Sequence, residues 1–428
     1  MIRRLTEEPN DLLKKRWPSK EAVDSELYAY VASIVDDVRE RGDSALLEYT
    51  ERFDKVAMCS KDLVVRPSEV RDAYEMVSDD QVKALRTVVQ RLEALETKVM
   101  DGLNFDVSVN GVDIYRRVRP IDKVGCYVPG GKGAYPSTLI MNVVPAKVAG
   151  VRKTVVCTPP GRDGQLKPIT LVAADICDTD VIYRIGGIQA IAAIAYGTET
   201  IERVDKIVGP GNKYVAAAKH LISKDVAIDS PAGPTEILII ADESADARIV
   251  ALDMISQAEH GAGGVSGLIT TSQILVDGVE VAIEEILKDI DKSGGIFDVL
   301  AENGFLYLCE SMDEAVSFVN RFAPEHLEIQ AEEPMEIAEQ IINVGLISLG
   351  PYTPISATDY CMGTNHVLPT GGYAKIYSGL SALDYVKTVD IIQSSREGLR
   401  KVKGEIRALA EAEGLLNHAL AVEGRFKE

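Results

Sequence analysis

The chain has only five histidines, and four of them stand near carboxylates or amides, so the company each keeps is informative. Glu325 and His326 are adjacent in APEHLEIQ, directly behind the rigid Pro324. A neighbouring carboxylate raises an imidazole's basicity and histidine titrates near neutrality, so one group could take a proton from an alcohol while the other activates water. The alternative is a turn with two solvated polar residues. Gln257 and His260, in MISQAEH, are three residues apart, which puts both on one face of a helix and lets them grip one metal ion. Asp359 and His366 fall in SATDYCMGTNHVLPT, a Gly- and Pro-bounded segment whose irregular backbone can aim side chains inward. His418, in AEAEGLLNHAL, follows Glu413 by five residues. Imidazole, carboxylate and carbonyl oxygen form a borderline-hard donor set that suits Zn²⁺, with Mn²⁺ or Co²⁺ as substitutes. An ordinary hydrogen bond could satisfy any one of these histidines, and no HExxH or clustered Cys/His motif supports a metal on spacing alone.

Glycine turns offer phosphate sites. GAGGVSG at 261–267 follows a helix and breaks the GxGxxG spacing at Ser266, so it is not a dinucleotide fingerprint. CYVPGGKGAYPS at 126–137 and VGPGNKY at 208–214 are better contexts, with a strand running into a glycine turn and a helix N-terminus that can receive phosphate. His220, on the helix after the second turn, reads as structural.

These groups need elements to hold them. Residues 1 to about 105 are rich in Glu, Lys, Arg, Ala and Leu at helical spacing, as over 22–40 and 82–98, and read as a helical region extending to 111. From 112 the texture changes to short β-branched runs ending in Gly or Pro, each followed by an Ala-rich helical stretch, which predicts a parallel, helix-covered sheet over 112–235. The pattern restarts at EILIIAD (236–242), an apolar run fit for a strand buried on both faces, and continues to 387. In this second α/β unit, helices are expected at 244–260, 277–290 and 312–322, with strands at GLITT and GFLYL. Part of 346–387 is expected to return to the first unit, and 388–428 reads as a charged helical tail.

Composition narrows the function. Lys and Arg total 46 against 66 Asp and Glu, a formal charge of −20 that repels phosphate backbones and anionic lipid, so nucleic-acid and membrane-surface roles are disfavoured. The longest apolar stretch, 185–197, is 13 residues, short of the roughly 20 that span a bilayer. The N-terminal MIRRLTEEPNDLLKKRW mixes charges without an apolar core and does not read as a secretory signal, so a cytoplasmic location is expected. The six cysteines, Cys59, Cys126, Cys157, Cys177, Cys309 and Cys361, form no CxxC pair and read as reduced thiols, most of them buried.

Taken together, seven ordered blocks resemble histidinol dehydrogenase. They are YVPGGKGAYPSTLIMNVVPAKVAGV (127–151), IGGIQAIAAIAYGT (185–198), KIVGPGNKYVAAAK (206–219), PAGPTEILIIAD (231–242), SQAEHG (256–261), FAPEHLEI (322–329) and the stretch 356–374. The resemblance implies an α/β fold of two similar α/β/α domains with incomplete Rossmann-like parallel sheets, aldehyde-dehydrogenase-like, with a helical N-terminal region and tail. It implies one zinc ion per subunit on Gln257, His260, Asp359 and His418, the last from the neighbouring subunit of a homodimer with shared sites. Thr235, Gln257, His260, His326, Asp359, His366, Glu413 and His418 match positions around the substrate, and Tyr127, Gln189 and Asn212 match positions contacting NAD⁺. The implied reaction oxidises L-histidinol to L-histidine through bound histidinaldehyde, with two NAD⁺ and one water. His326 is the implied base and Glu325 the implied activator of water. Departures are few: Thr235 stands where the family commonly has Ser, Thr358 where Gly commonly precedes the Asp, and GAGGVSG where a more polar segment is usual.

Two other classes fit the same residues. A zinc hydrolase would use Glu325 to activate a zinc-bound water and would ignore NAD⁺. A non-enzymatic assembly module would use zinc to staple two subunits, leaving Glu325 and His326 without a role.

Overall fold

The computed structural model describes residues 2–14, 16, 25–130, 133–231, 233–261, 263–289 and 295–426. Gly131 and Lys132 of the first glycine turn, Ala232 in the 231–242 block, Ala262 in the 261–267 segment and positions 22–24 of the helix expected over 22–40 lie outside these residues.

In chain order the strands are β1 (Arg3–Leu5), β2 (Phe105–Val109), β3 (Val112–Pro120), β4 (Lys123–Tyr127), β5 (Lys153–Cys157), β6 (Val181–Tyr183), β7 (Lys206–Val208), β8 (Ala227–Ile228), β9 (Glu236–Ala241), β10 (Val265–Thr270), β11 (Gly304–Leu308), β12 (His326–Gln330), β13 (Leu346–Leu349) and β14 (Val386–Ser394). Two sheets are parallel, in the orders β6-β5-β4-β7-β8 and β1-β11-β10-β9-β12-β13. The helices between successive strands, such as Pro136–Val148 after β4 and Ala247–Ala258 after β9, supply the crossovers that parallel pairing requires. Each sheet separates two apolar layers. The helices Ser25–Arg41 and Asp43–Asp54 cover one face of the first sheet, and Asp79–Met100 covers the other.

Register decides what reaches the site. β12 runs parallel to β9 with His326 opposite Ile237 and Glu328 opposite Ile239. Strand alternation then turns His326, Glu328 and Gln330 toward the helix Ala247–Ala258, while Leu327 and Ile329 pack toward the helix Met312–Phe322. Glu325 and His326 therefore sit where these strands begin, at the amino-terminal edge of the second sheet. The chain returns after β13: Ile355 packs in the second sheet's core, whereas Val367, Leu380, Ala382 and Tyr385 pack in the first sheet's core.

Two helical assignments are corrected. The N-terminal region contains strands as well as helices: β1 adds to the open side of β11, and β2 forms a hairpin with β3 across Asn110 and Gly111, both at positive φ. That pair of left-handed residues is the geometry of a tight hairpin turn. The C-terminal region begins as a strand, because β14, rich in Val, Thr and Ile, pairs antiparallel with β3 along its whole length. The helices Arg396–Ala412 and Leu416–Glu423 follow and pack on each other.

The N-terminal segment is tied to the second sheet by Arg16. Its guanidinium donates to both Glu236 oxygens at 2.7 Å, with each side chain 6% exposed, and lies 3.5 Å over the Phe322 ring. It also donates to the carbonyls of Phe322 and Ala323, and so holds the turn where left-handed Ala323 precedes Pro324 and the strand start. Arg16→Met strands a buried carboxylate and should cost about 3–5 kcal/mol, read as a lower urea midpoint at unchanged slope. An unchanged midpoint would show that the ion pair does not brace the strand start.

Candidate active site

Glu236 heads β9, and its backbone orients both members of the acid/base pair. Its N–H donates to Glu325 Oε2 at 2.9 Å, and its carbonyl lies 3.1 Å from His326 Nδ1. A carbonyl can only accept, so Nδ1 carries the proton and Nε2 keeps its lone pair. Nε2 is buried without a hydrogen-bond partner among the described residues and lies 3.9 Å from Asp359 Oδ1. Burial lowers His326 to about 3, with the nearby imidazoles of His366 and His260 adding to the effect, so the ring is neutral at working pH. Burial also holds the Glu325 carboxyl well above the usual carboxylate range, making it a stronger base than an exposed glutamate.

A relay of hydrogen bonds extends from Glu325. Thr235 Oγ1 donates to Glu325 Oε2 at 2.7 Å and accepts from Gln257 Nε2. With its amino group committed to Thr235, Gln257 is left with its carbonyl oxygen Oε1 for a ligand. Asp359 follows the short helix Ile355–Thr358, and burial pushes its carboxyl up to about 7. His366 donates from Nδ1 to the Asp359 carbonyl at 2.7 Å and takes the Thr138 hydroxyl on Nε2 at 3.1 Å. Thr138 opens the helix after β4, so this contact joins the glycine-turn end of the first sheet to the acid/base end of the second.

Thr235, Gln257, Glu325, His326, Asp359 and His366 thus converge through hydrogen bonds and short approaches. His260 leaves the helix bearing Gln257, is exposed, and lies near enough to depress His326 and His366. Glu413 and His418 are exposed on the tail, which packs on itself and on β14. Among the described residues no three His, Cys, Asp or Glu side chains are grouped to hold a metal ion. The donors within one chain are instead an amide oxygen, an imidazole and a carboxylate. That set matches zinc chemistry but lacks a fourth side chain.

Tyr127, Gln189 and Asn212 gather at the carboxyl-terminal edge of the first sheet, where strand order reverses between β4 and β7. Such switch points are the usual ligand crevices of parallel sheets. Tyr127 is buried, with its hydroxyl accepting the Gly187 N–H at 3.1 Å. Gln189 is buried with both amide atoms unpartnered among the described residues, which leaves them for a ligand. Asn212 caps the helix Lys213–Ile222 by accepting the N–H groups of Tyr214 and Val215. Gly209, at φ 112, lies where a Cβ would strike the Tyr127 carbonyl, so the two loops approach closely only with glycine there.

Sequence reasoning missed Glu236, Arg16 and Thr138. A lone glutamate at the head of an otherwise apolar strand was a visible signal, since such a charge is rarely buried without a partner. Nothing local marked Arg16 or Thr138.

The histidinol dehydrogenase family model matches residues 18–426. Histidinol dehydrogenase of Methanosarcina mazei is 44% identical over 399 residues, covering 92% of this chain and 91% of that protein. The one from Methanothermobacter thermautotrophicus is 45% identical, covering 93% of each. The crystal structure of histidinol dehydrogenase from Elizabethkingia anophelis superposes with a TM-score of 0.93 at 35% identity, covering 99% of this chain and 98% of that one.

The depressed His326 has a stability consequence with a definite sign. Above about pH 6.5 the ring is neutral in folded and unfolded chains alike, so its contribution is constant. As pH falls from there toward about 3, the unfolded chain binds a proton that the folded chain refuses. Metal-free wild type should therefore lose up to about 1.4 kcal/mol per pH unit relative to His326→Asn over that window. Urea titrations of both proteins with chelator at pH 7, 6 and 5 test this, and parallel pH curves would contradict it.

Proposed function

This chain belongs to the histidinol dehydrogenase family of oxidoreductases, and from that premise we propose that it oxidises L-histidinol to L-histidine in two NAD⁺-linked steps through enclosed L-histidinaldehyde. The observation that carries the reading is the buried Glu325–His326 pair, fixed by one backbone unit, with a proton-free imidazole nitrogen facing Asp359.

His326 Nε2 is the acceptor for the alcohol proton in the first oxidation and for the aldehyde-hydrate proton in the second. Glu325, with its raised proton affinity, deprotonates the water that adds to the aldehyde between them. Gln257 Oε1, His260 and Asp359, joined by His418 of the partner subunit, would hold one Zn²⁺, whose charge would orient the substrate and favour ionisation of its hydroxyl. Thr235 keeps Gln257 turned for that task, and His366 holds the Asp359 backbone in place while lining the substrate space with Glu413. Tyr127, Gln189 and Asn212 would contact NAD⁺, the hydride acceptor in both steps. Each oxidation releases one hydride and one proton, so two NAD⁺ and one water are consumed per histidine.

We propose a homodimer on the position of the tail residues. Glu413 and His418 are exposed, as are the neighbouring Leu409, Leu415, Leu416 and Leu420, which supports a tail that completes a neighbour's site. We also assign the two parallel sheets to incomplete Rossmann-like units of the aldehyde-dehydrogenase kind, on their shared strand order. Within the described residues no helix is long and apolar enough to cross a membrane, and we place the enzyme in the cytoplasm.

Absorbance at the NADH band with L-histidinol and NAD⁺ is the test, alongside quantification of histidine. Two NADH per histidine are expected, abolished by chelator and restored by Zn²⁺. His326→Asn should abolish turnover and keep zinc, whereas His260→Asn should lose both. Metal-replete, folded protein that makes no NADH would overturn the proposal, and NAD⁺-independent amide hydrolysis would point to the hydrolase instead.

A further inference from the structure

Two buried acids lie beside this machinery without a part in it. Glu328 is two residues past His326 on the same face of β12 and is fully buried. Its Oε1 accepts from Gln330 Nε2, and the Ile355 N–H lies close enough to its carboxyl to lower its proton affinity. Asp253, buried on the helix Ala247–Ala258, is within hydrogen-bonding reach of it. Asp253 Oδ2 and Glu328 Oε2 each have no donor among the described residues. Ser348 is opposite Glu328 on β13, and its buried hydroxyl is also without a partner among those residues.

Two carboxylates in contact in a dry interior cannot both ionise. Two acceptor oxygens facing each other are reconciled by one proton between them. Burial raises the proton affinity of both acids, and the neighbouring Asp253 raises that of Glu328 further, whereas the hydrogen bond from Glu328 lowers that of Asp253, which puts the shared proton on Glu328. The placement gives the pair its significance. The helix bearing Asp253 also bears Gln257 and leads to His260, the helix begun by Ile355 ends at Asp359, and the strand bearing Glu328 begins at His326. Glu328 touches all three elements.

We propose that Asp253 and Glu328 share one proton as an acid–carboxylate pair, and that the pair is a positioning device setting the distance between His326 and the ligand residues Gln257, His260 and Asp359. The proposal rests on the site reading above, so its test includes measurements that need no turnover.

Glu328→Gln keeps the length and offers an N–H to Asp253, so zinc affinity and kcat should stay within about threefold of wild type, whereas Glu328→Ala should lower both by about tenfold or more, as loss of a supporting contact around a metal does. The KM for histidinol should change less than kcat, because spacing, and not a substrate contact, is lost. Infrared spectra of zinc-loaded wild type at neutral pH should contain a protonated-carboxyl absorption that disappears in both Glu328→Gln and Asp253→Asn. That absorption and the zinc titration stay readable even if histidinol is not the substrate or Glu328→Ala fails to fold. The proposal is overturned if neither substitution removes a protonated-carboxyl absorption, if Glu328→Gln is as damaged as Glu328→Ala, or if folded Glu328→Ala keeps wild-type zinc affinity and kcat.

Discussion

The parallel pairing of β9 with β12 is the constraint from which the site follows. Because the two strands begin at the same level, the N–H and C=O of one residue, Glu236, meet the side chains of Glu325 and His326. The carbonyl selects the imidazole tautomer, and the N–H joins the Thr235 hydroxyl in holding a buried carboxyl oxygen of Glu325. The Glu236 side chain faces away to Arg16, which braces the left-handed turn feeding the strand. One residue therefore links chain entry, backbone turn and acid/base geometry.

A second consequence is the way the two sheets meet. The carboxyl-terminal edge of the first, with its glycine turns, is tied to the amino-terminal edge of the second by the segment from Asp359 to Gly371. His366 bonds Thr138, Asn365 donates to the Met141 carbonyl at 2.8 Å, and Thr370 accepts the Gly233 N–H. In the reaction proposed above, the hydride acceptor at the first sheet and the base at the second would reach the carbon and the hydroxyl of one bound molecule from opposite sides, which would suit repeated oxidation without release of an aldehyde.

Much of this was legible in the residues themselves. Strand–helix alternation after 112 and the restart at Glu236 carried the parallel sheets, and Glu–His adjacency behind a proline carried the acid/base pair. Asn110–Gly111 was a hairpin signal that charged helical surroundings obscured, and the β-branched run at 386–394 was absorbed into the helix that follows it. β1 is three residues whose pairing with β11 is about three hundred positions distant, so no local pattern could announce it. Arg16 and Thr138 were illegible for the same reason: their roles exist only through partners remote in sequence. His418, the proposed fourth zinc donor, is a different case, since it stands exposed on the tail.

The account depends most on His326 being neutral with its proton on Nδ1 and its lone pair on Nε2. ¹⁵N chemical shifts of the ring nitrogens in histidine-labelled protein at neutral pH, assigned through His326→Asn, measure this directly. A protonated Nδ1 with an unprotonated Nε2 is the predicted result. An imidazolium, or a ring carrying its proton on Nε2, would remove the base from the site and contradict the mechanism built on it.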